Sequence, residues 1–155
     1  MFIVVRWLYV FLYVLLLFIF SAQPESSAGT MSQGMMSWFP NLSKSDIQTL
    51  VFYVRKLGHV LAYAFGTAII VYALHATPRL RKNYLAWGFT FALIIACLDE
   101  WYQSTLPHRT GSIVDVFIDM IGITFAIAVI GWRHYCRVQR NKNQGYDKEL
   151  QENNK

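Results

Sequence analysis

The chain has 155 residues, enough for one domain, and it is 55% hydrophobic and only 15% charged. That balance excludes an ordinary water-soluble globule and indicates a membrane protein. The net charge is +5, with Arg79, Arg81 and Lys82 in one short stretch and further Lys and Arg from Arg133 onward. Such clusters also mark nucleic-acid binders, but beside apolar runs they read as cytoplasmic flanks, so no nucleic-acid partner is expected.

Residues 1–20, MFIVVRWLYVFLYVLLLFIF, are apolar apart from Arg6. A first span over about 2–20 follows, with Arg6 close enough to one end to reach the surface. A secretory signal peptide cleaved near Ser21–Ala22–Gln23 is the alternative, and the length of the apolar run favours an uncleaved helix. Residues 21–45 are rich in Ser, Gly, Gln and Pro and read as a loop, with Trp38 and Phe39 at the membrane–water interface. Ser45 and Gln48 form a capping-box signal, and Ile47, Leu50, Val51 and Val54 suggest a short amphipathic turn lying on the surface.

The second span covers about 57–76. At 100° per residue, Lys56, His59 and Tyr63 share one stripe, beside a stripe of small residues, Gly58, Ala62 and Gly66. Pro78 ends this helix before the basic loop 79–82. The third span, 84–103, ends in an acidic face, because Asp99 and Gln103 are one turn apart and align with Ala92 and Ala96. Cys97 lies within it and is expected as a small buried packing residue. After the turn 104–111, the fourth span, 113–132, aligns Ser112, Asp115, Asp119, Gly122 and Ala126 in one narrow sector. The spans thus make a four-helix membrane domain over 1–132, and 133–155 reads as a polar, disordered cytoplasmic tail.

The fold expected is therefore an all-α polytopic bundle of four transmembrane helices in the cell membrane. With both termini in the cytoplasm, that side holds ten of the fourteen Lys and Arg residues. Lys56, His59, Tyr63, Asp99, Glu100, Gln103, Arg109, Ser112 and Asp115 then all lie toward the outer face. The stretch from Asp99 to Asp119 carries four of the nine acidic residues between two membrane-length runs, which makes it the centre of a candidate site.

Three motifs resemble the VanZ-like family of bacterial membrane proteins. They are FSAQPESS at the end of the first run, RKLGHVLAYAFG opening the second span, and DEWYQSTLPHRTGSIVDVFIDMIG. The last is similar to the family's Asp-Glu-x-x-Gln, a turn ending in Arg, then Ser-x-x-Asp and a Gly. His108 and Asp119 depart from the commoner glycine and asparagine. The resemblance implies a multi-span cell-envelope protein; the family is named for a protein conferring low-level resistance to the lipoglycopeptide teicoplanin. It implies no settled catalytic activity.

Read as a site, Lys56 and Arg109 hold an anionic group of an envelope lipid or glycan, with Tyr63, Gln103, Ser112 and Asp115 completing a binding pocket. His59 is the candidate general acid or base, with Glu100 and Asp99 as the other candidate catalytic residues. Read as structure, the same acids and bases pair with one another, as Asp99 with Arg109 or Asp115 with Lys56. Three functions remain open: a binding or protective module for a lipid-linked or lipophilic ligand, an intramembrane hydrolase or transferase acting on an envelope lipid, and a purely structural bundle. Membrane lipids are the expected partners, and transport would require oligomerisation. Asp99, Glu100 and Asp115 are candidates to orient His59, to pair with the cations or to hold a divalent metal, although His59 with Asp99 and Glu100 has ligand types without a short-range spacing motif. Cys97 and Cys136 give neither a disulfide framework nor zinc-type spacing, and no metal site or cofactor is assigned.

Overall fold

A computed structural model describes residues 2–24, 27–107 and 111–153, with 146–153 as backbone alone. The described residues form helices α1 (Phe2–Ala22), α2 (Ala28–Trp38), α3 (Lys44–Ala76), α4 (Tyr84–Ser104) and α5 (Ile113–Asn153), with no strand among them. The expected all-α class is borne out. Helices α1, α3, α4 and α5 are each long and apolar enough to cross a membrane. Their 21 residues in α1 and in α4 rise about 30 Å, matching the hydrocarbon core.

Helix α3 is the centre and packs against all the others. Its carbonyl at Ala62 accepts a hydrogen bond from the Tyr13 hydroxyl (3.0 Å), and Trp7 Nε1 donates to Thr77 Oγ1 (3.1 Å). These contacts run α1 antiparallel to α3. Gly122 of α5 meets Val60 of α3, while Tyr84 of α4 meets His134 of α5. So α5 runs parallel to α3, and α4 runs against both. The ends of α1 and α4 and the starts of α3 and α5 therefore converge at one end of the bundle.

Three segments differ from the expected ones. The stretch 21–45, expected to be a loop, contains α2. Ser27 caps it, its Oγ accepting from Thr30 N (3.3 Å), and Met31, Ser32, Met35 and Met36 recur at helical spacing on the less exposed face. Helix α3 starts at Lys44 instead of 57, in one continuous run. Its cap is Ser43 rather than Ser45: Ser43 Oγ accepts from Asp46 N (3.2 Å) and donates to the Asp46 carboxylate (2.7 Å). Ile47 and Val51 are fully buried and only Leu50 and Val54 are exposed, so this turn is part of the packed bundle and not a surface element. Finally, α5 continues to Asn153, where a disordered tail was expected. No proline interrupts it, and its side chains from Trp132 to Gly145 are exposed.

Close helix packing rests on small residues, as the stripes predict. Ala92 and Ala96 of α4 and Gly122 and Ala126 of α5 are all buried. A Cβ on Gly66 would collide with the Tyr13 ring, and one on Gly122 with the Val60 carbonyl oxygen. Gly58 has open space beside it. Cys97, expected to be buried, is exposed on the outer surface of α4.

Gly122→Ala is expected to destabilise the protein by about 1–3 kcal/mol, because its obstacle is backbone that cannot rotate away. Gly58→Ala is expected to leave stability unchanged. Thermal melts of both variants in detergent check the contrast.

Candidate functional site

The site begins with a face of α4. One turn of helix separates Asp99 from Gln103, so both point the same way as Ala92 and Ala96, and both are 1% exposed. In that position Asp99 accepts three hydrogen bonds from three helices. Ser21 Oγ of α1 donates to Oδ1 (2.7 Å), and Tyr63 OH of α3 (3.1 Å) and Gln103 Nε2 of α4 (2.8 Å) donate to Oδ2. Gln103 Nε2 also reaches Ser21 Oγ at 3.4 Å. Residues named as candidate catalyst (Asp99) and ligand binders (Tyr63, Gln103) are thus joined to each other.

Glu100, one residue on, is rotated about 100° and turns toward α5. Its Oε2 accepts from the backbone N–H of Ser112 (2.8 Å), closing the α4–α5 hairpin. Ser112 Oγ in turn accepts from Val114 N (3.2 Å) at the start of α5. Gly111 is required in this turn, since a Cβ there would collide with the Glu100 carbonyl oxygen.

Lys56 and Asp115 form an ion pair between α3 and α5. One turn deeper, His59 Nδ1 lies 2.9 Å from Asp119 Oδ1, and the Asp119 side chain is fully buried. The sequence left Asp99, Glu100 or Asp115 to orient His59; the parallel packing of α3 on α5 assigns that contact to Asp119. Two carboxylate oxygens here, Glu100 Oε1 and Asp119 Oδ2, are buried without a hydrogen-bond partner among the described residues. His59, Glu100 and Asp115 each offer one ligand atom, and these atoms lie within 4.8 Å of one another.

Beside these polar groups lies a cavity of about 370 Å³ between α1, α2 and α3, reaching α4. Leu17, Phe20, Met31 and Val54 supply apolar walls, and His59, Tyr63, Asp99 and Gln103 supply a polar floor. Gly58 and Ala62 leave room for it, and Arg55 stands at its lining.

The predicted site residues therefore fall into two connected groups. Tyr63, Asp99 and Gln103 border the cavity; Lys56, Glu100, Ser112 and Asp115 sit between α3, α4 and α5, and His59 belongs to both. Arg109 and its proposed pairing lie outside the described residues, as does His108. Sequence reasoning missed Ser21 and Arg55 as site residues, and placed Asp119 in the polar sector without giving it a role. Asp119 was legible from its alignment with Asp115; Ser21 carried only the motif at the end of the first run.

With this geometry in view, comparison with known proteins finds that the VanZ/LLP1 family model matches residues 6–134. No curated protein and no solved structure matches the chain.

Breaking one side of the Lys56–Asp115 pair leaves the other charge without its partner, at about 3–5 kcal/mol for a well-buried pair. Both side chains are largely buried, at 22% and 9% exposure. Lys56→Met and Asp115→Asn are each expected to lower stability, and the double variant to lose less than the sum. A double-mutant cycle on thermal melts measures that coupling.

Proposed function

The chain belongs to the VanZ/LLP1 family, and from that premise we propose that it is a bacterial cell-envelope protein binding a lipid-linked or lipophilic ligand in the cavity between α1, α2 and α3. The observation that carries this reading is the cavity's chemistry: apolar walls over a polar floor at one end of a membrane bundle. An amphiphile fits such a site, its hydrocarbon against Leu17, Phe20 and Val54 and its polar group toward His59, Tyr63 and Gln103. Arg55 at its lining favours an anionic head group.

Charge asymmetry supports an outward-facing site. Arg6, the 79–82 loop and the chain from Arg133 onward carry ten of the fourteen Lys and Arg residues, and among the described residues none of these lines the cavity. By the positive-inside rule both termini are cytoplasmic, and the cavity meets envelope lipids or an arriving glycopeptide. Protection against teicoplanin-type antibiotics is the corresponding cellular role.

Gly58→Leu fills the cavity where a side chain has open space, and Arg55→Ala removes its cation. In cells with equal membrane levels of each protein, both variants are expected to lose the teicoplanin protection given by the wild type. Unchanged susceptibility in both would contradict the proposal.

A second reading, an intramembrane hydrolase or transferase, is favoured by the His59–Asp119 contact. A carboxylate on Nδ1 orients the imidazole and leaves its other nitrogen for proton transfer. Glu100 is the neighbouring acid. Purified protein given a panel of envelope lipids is expected on this reading to release a product that His59→Gln abolishes. No turnover across the panel would rule this reading out.

A further inference from the structure

We infer that the cluster between α3, α4 and α5 is a divalent-cation site, with His59, Glu100 and Asp115 as its protein ligands. The first support is charge. Asp99, Glu100, Asp115 and Asp119 are each at most 6% exposed at this end of the bundle. Asp99 is satisfied by three donors. The other three carboxylates share, among the described residues, ion pairs with one ammonium, Lys56, and one imidazole, His59. Carboxylates away from water require compensation, and a dication supplies two charges at a single point.

The second support is the pattern of occupied and open atoms. Asp119 holds His59 through Nδ1, which leaves Nε2. The Ser112 N–H holds Glu100 through Oε2, and Oε1 is buried with no hydrogen-bond partner among the described residues. Lys56 holds Asp115 through Oδ1, which leaves Oδ2. Each ligand is thus oriented by one contact and keeps one atom open. Supporting contacts of this kind fix the ligands of protein metal sites, above all a carboxylate behind a histidine.

The third support is distance. Cation–oxygen bonds of about 2.0–2.6 Å place two ligands of one ion about 3–5 Å apart, depending on the angle between them. One ligand atom from each of His59, Glu100 and Asp115, a ring nitrogen or a carboxylate oxygen, lies within 4.8 Å of the other two. Two carboxylates with an imidazole and no thiolate suit Mn²⁺, Mg²⁺ or Zn²⁺ rather than a soft monovalent metal. Lys56 is the competing cation, because it already engages one of the ligands.

This inference shares His59 with the proposed ligand cavity but does not rest on the amphiphile. A chain that binds Mn²⁺ and no amphiphile would retain the one and lose the other. The test is a Mn²⁺ titration, followed by electron paramagnetic resonance, of the full-length protein purified in detergent and stripped with chelator. One Mn²⁺ per chain is expected, with nitrogen coupling from an imidazole. Glu100→Gln and Asp115→Asn are expected to weaken binding at least tenfold, and His59→Gln to remove the nitrogen coupling. Lys56→Met removes the competing ammonium and is expected to tighten binding severalfold, opposite in sign to its effect on the metal-free fold. A wild-type chain that takes up no Mn²⁺ beyond an empty-micelle control overturns the inference, and that measurement needs no variant to fold. Equal binding by Glu100→Gln and His59→Gln also overturns it.

Discussion

A carboxylate placed among apolar helices must find its hydrogen-bond donors inside the protein, and Asp99 finds them on three helices. Ser21 ties the end of α1 to α4, and Tyr63 ties α3 to the same group. Gln103 completes the set from one turn along α4. The remaining contacts at this end follow from that fixed point. With Asp99 and Gln103 facing inward, Glu100 must face α5, where it receives the Ser112 N–H. With α3 held against α4 through Tyr63, Lys56 and His59 present themselves to Asp115 and Asp119. The cavity is the space left where α1 and α2 cover the same polar floor.

Lipid tails are as apolar as the helices, so burying hydrocarbon contributes little to holding such a bundle together. The outer faces accordingly stay apolar, as with Leu16, Phe65, Phe117 and Phe125, all exposed. Cohesion comes instead from close backbone approach and from polar ties. The close approaches are Gly66 against Tyr13, Gly88 against Val71 and Gly122 against Val60. Gly122 lies next to the polar level of α5, one turn below Asp119, so the packing that brings α3 to α5 also brings His59 to its carboxylate. The opposite end is chemically distinct: Arg6, His75, Arg133, His134 and Arg137 gather around Tyr72 and Tyr84.

The four spans were legible because each is a long apolar run bounded by Pro, Gly or charge. The inward face of α4 was legible too, since 100° periodicity alone aligns Ala92, Ala96, Asp99 and Gln103. The sector joining Asp115, Asp119, Gly122 and Ala126 was found the same way. Partner choice was not legible. Periodicity gives the direction of His59 around α3 but not the height of α5 beside it, so Asp119 was not singled out from the other acids. Helix α2 escaped because its less exposed face is Ser and Met, with glycines in the same run, a composition that resembles a loop. The cap of α3 was misplaced by two residues because Ser43 with Asp46 and Ser45 with Gln48 both satisfy a capping pattern.

The central claim is that Asp99 fixes the polar end of the bundle. Its most direct test combines Asp99→Leu with spin labels at two exposed positions, Leu16 on α1 and Leu98 on α4. Pulsed dipolar spectroscopy in lipid is expected to give a narrow α1–α4 distance distribution when Asp99 is present. In Asp99→Leu the distribution is expected to broaden, with a loss of about 2 kcal/mol or more of stability, because Ser21, Tyr63 and Gln103 lose their common acceptor. An unchanged, narrow distribution with an unchanged melting temperature would contradict the account.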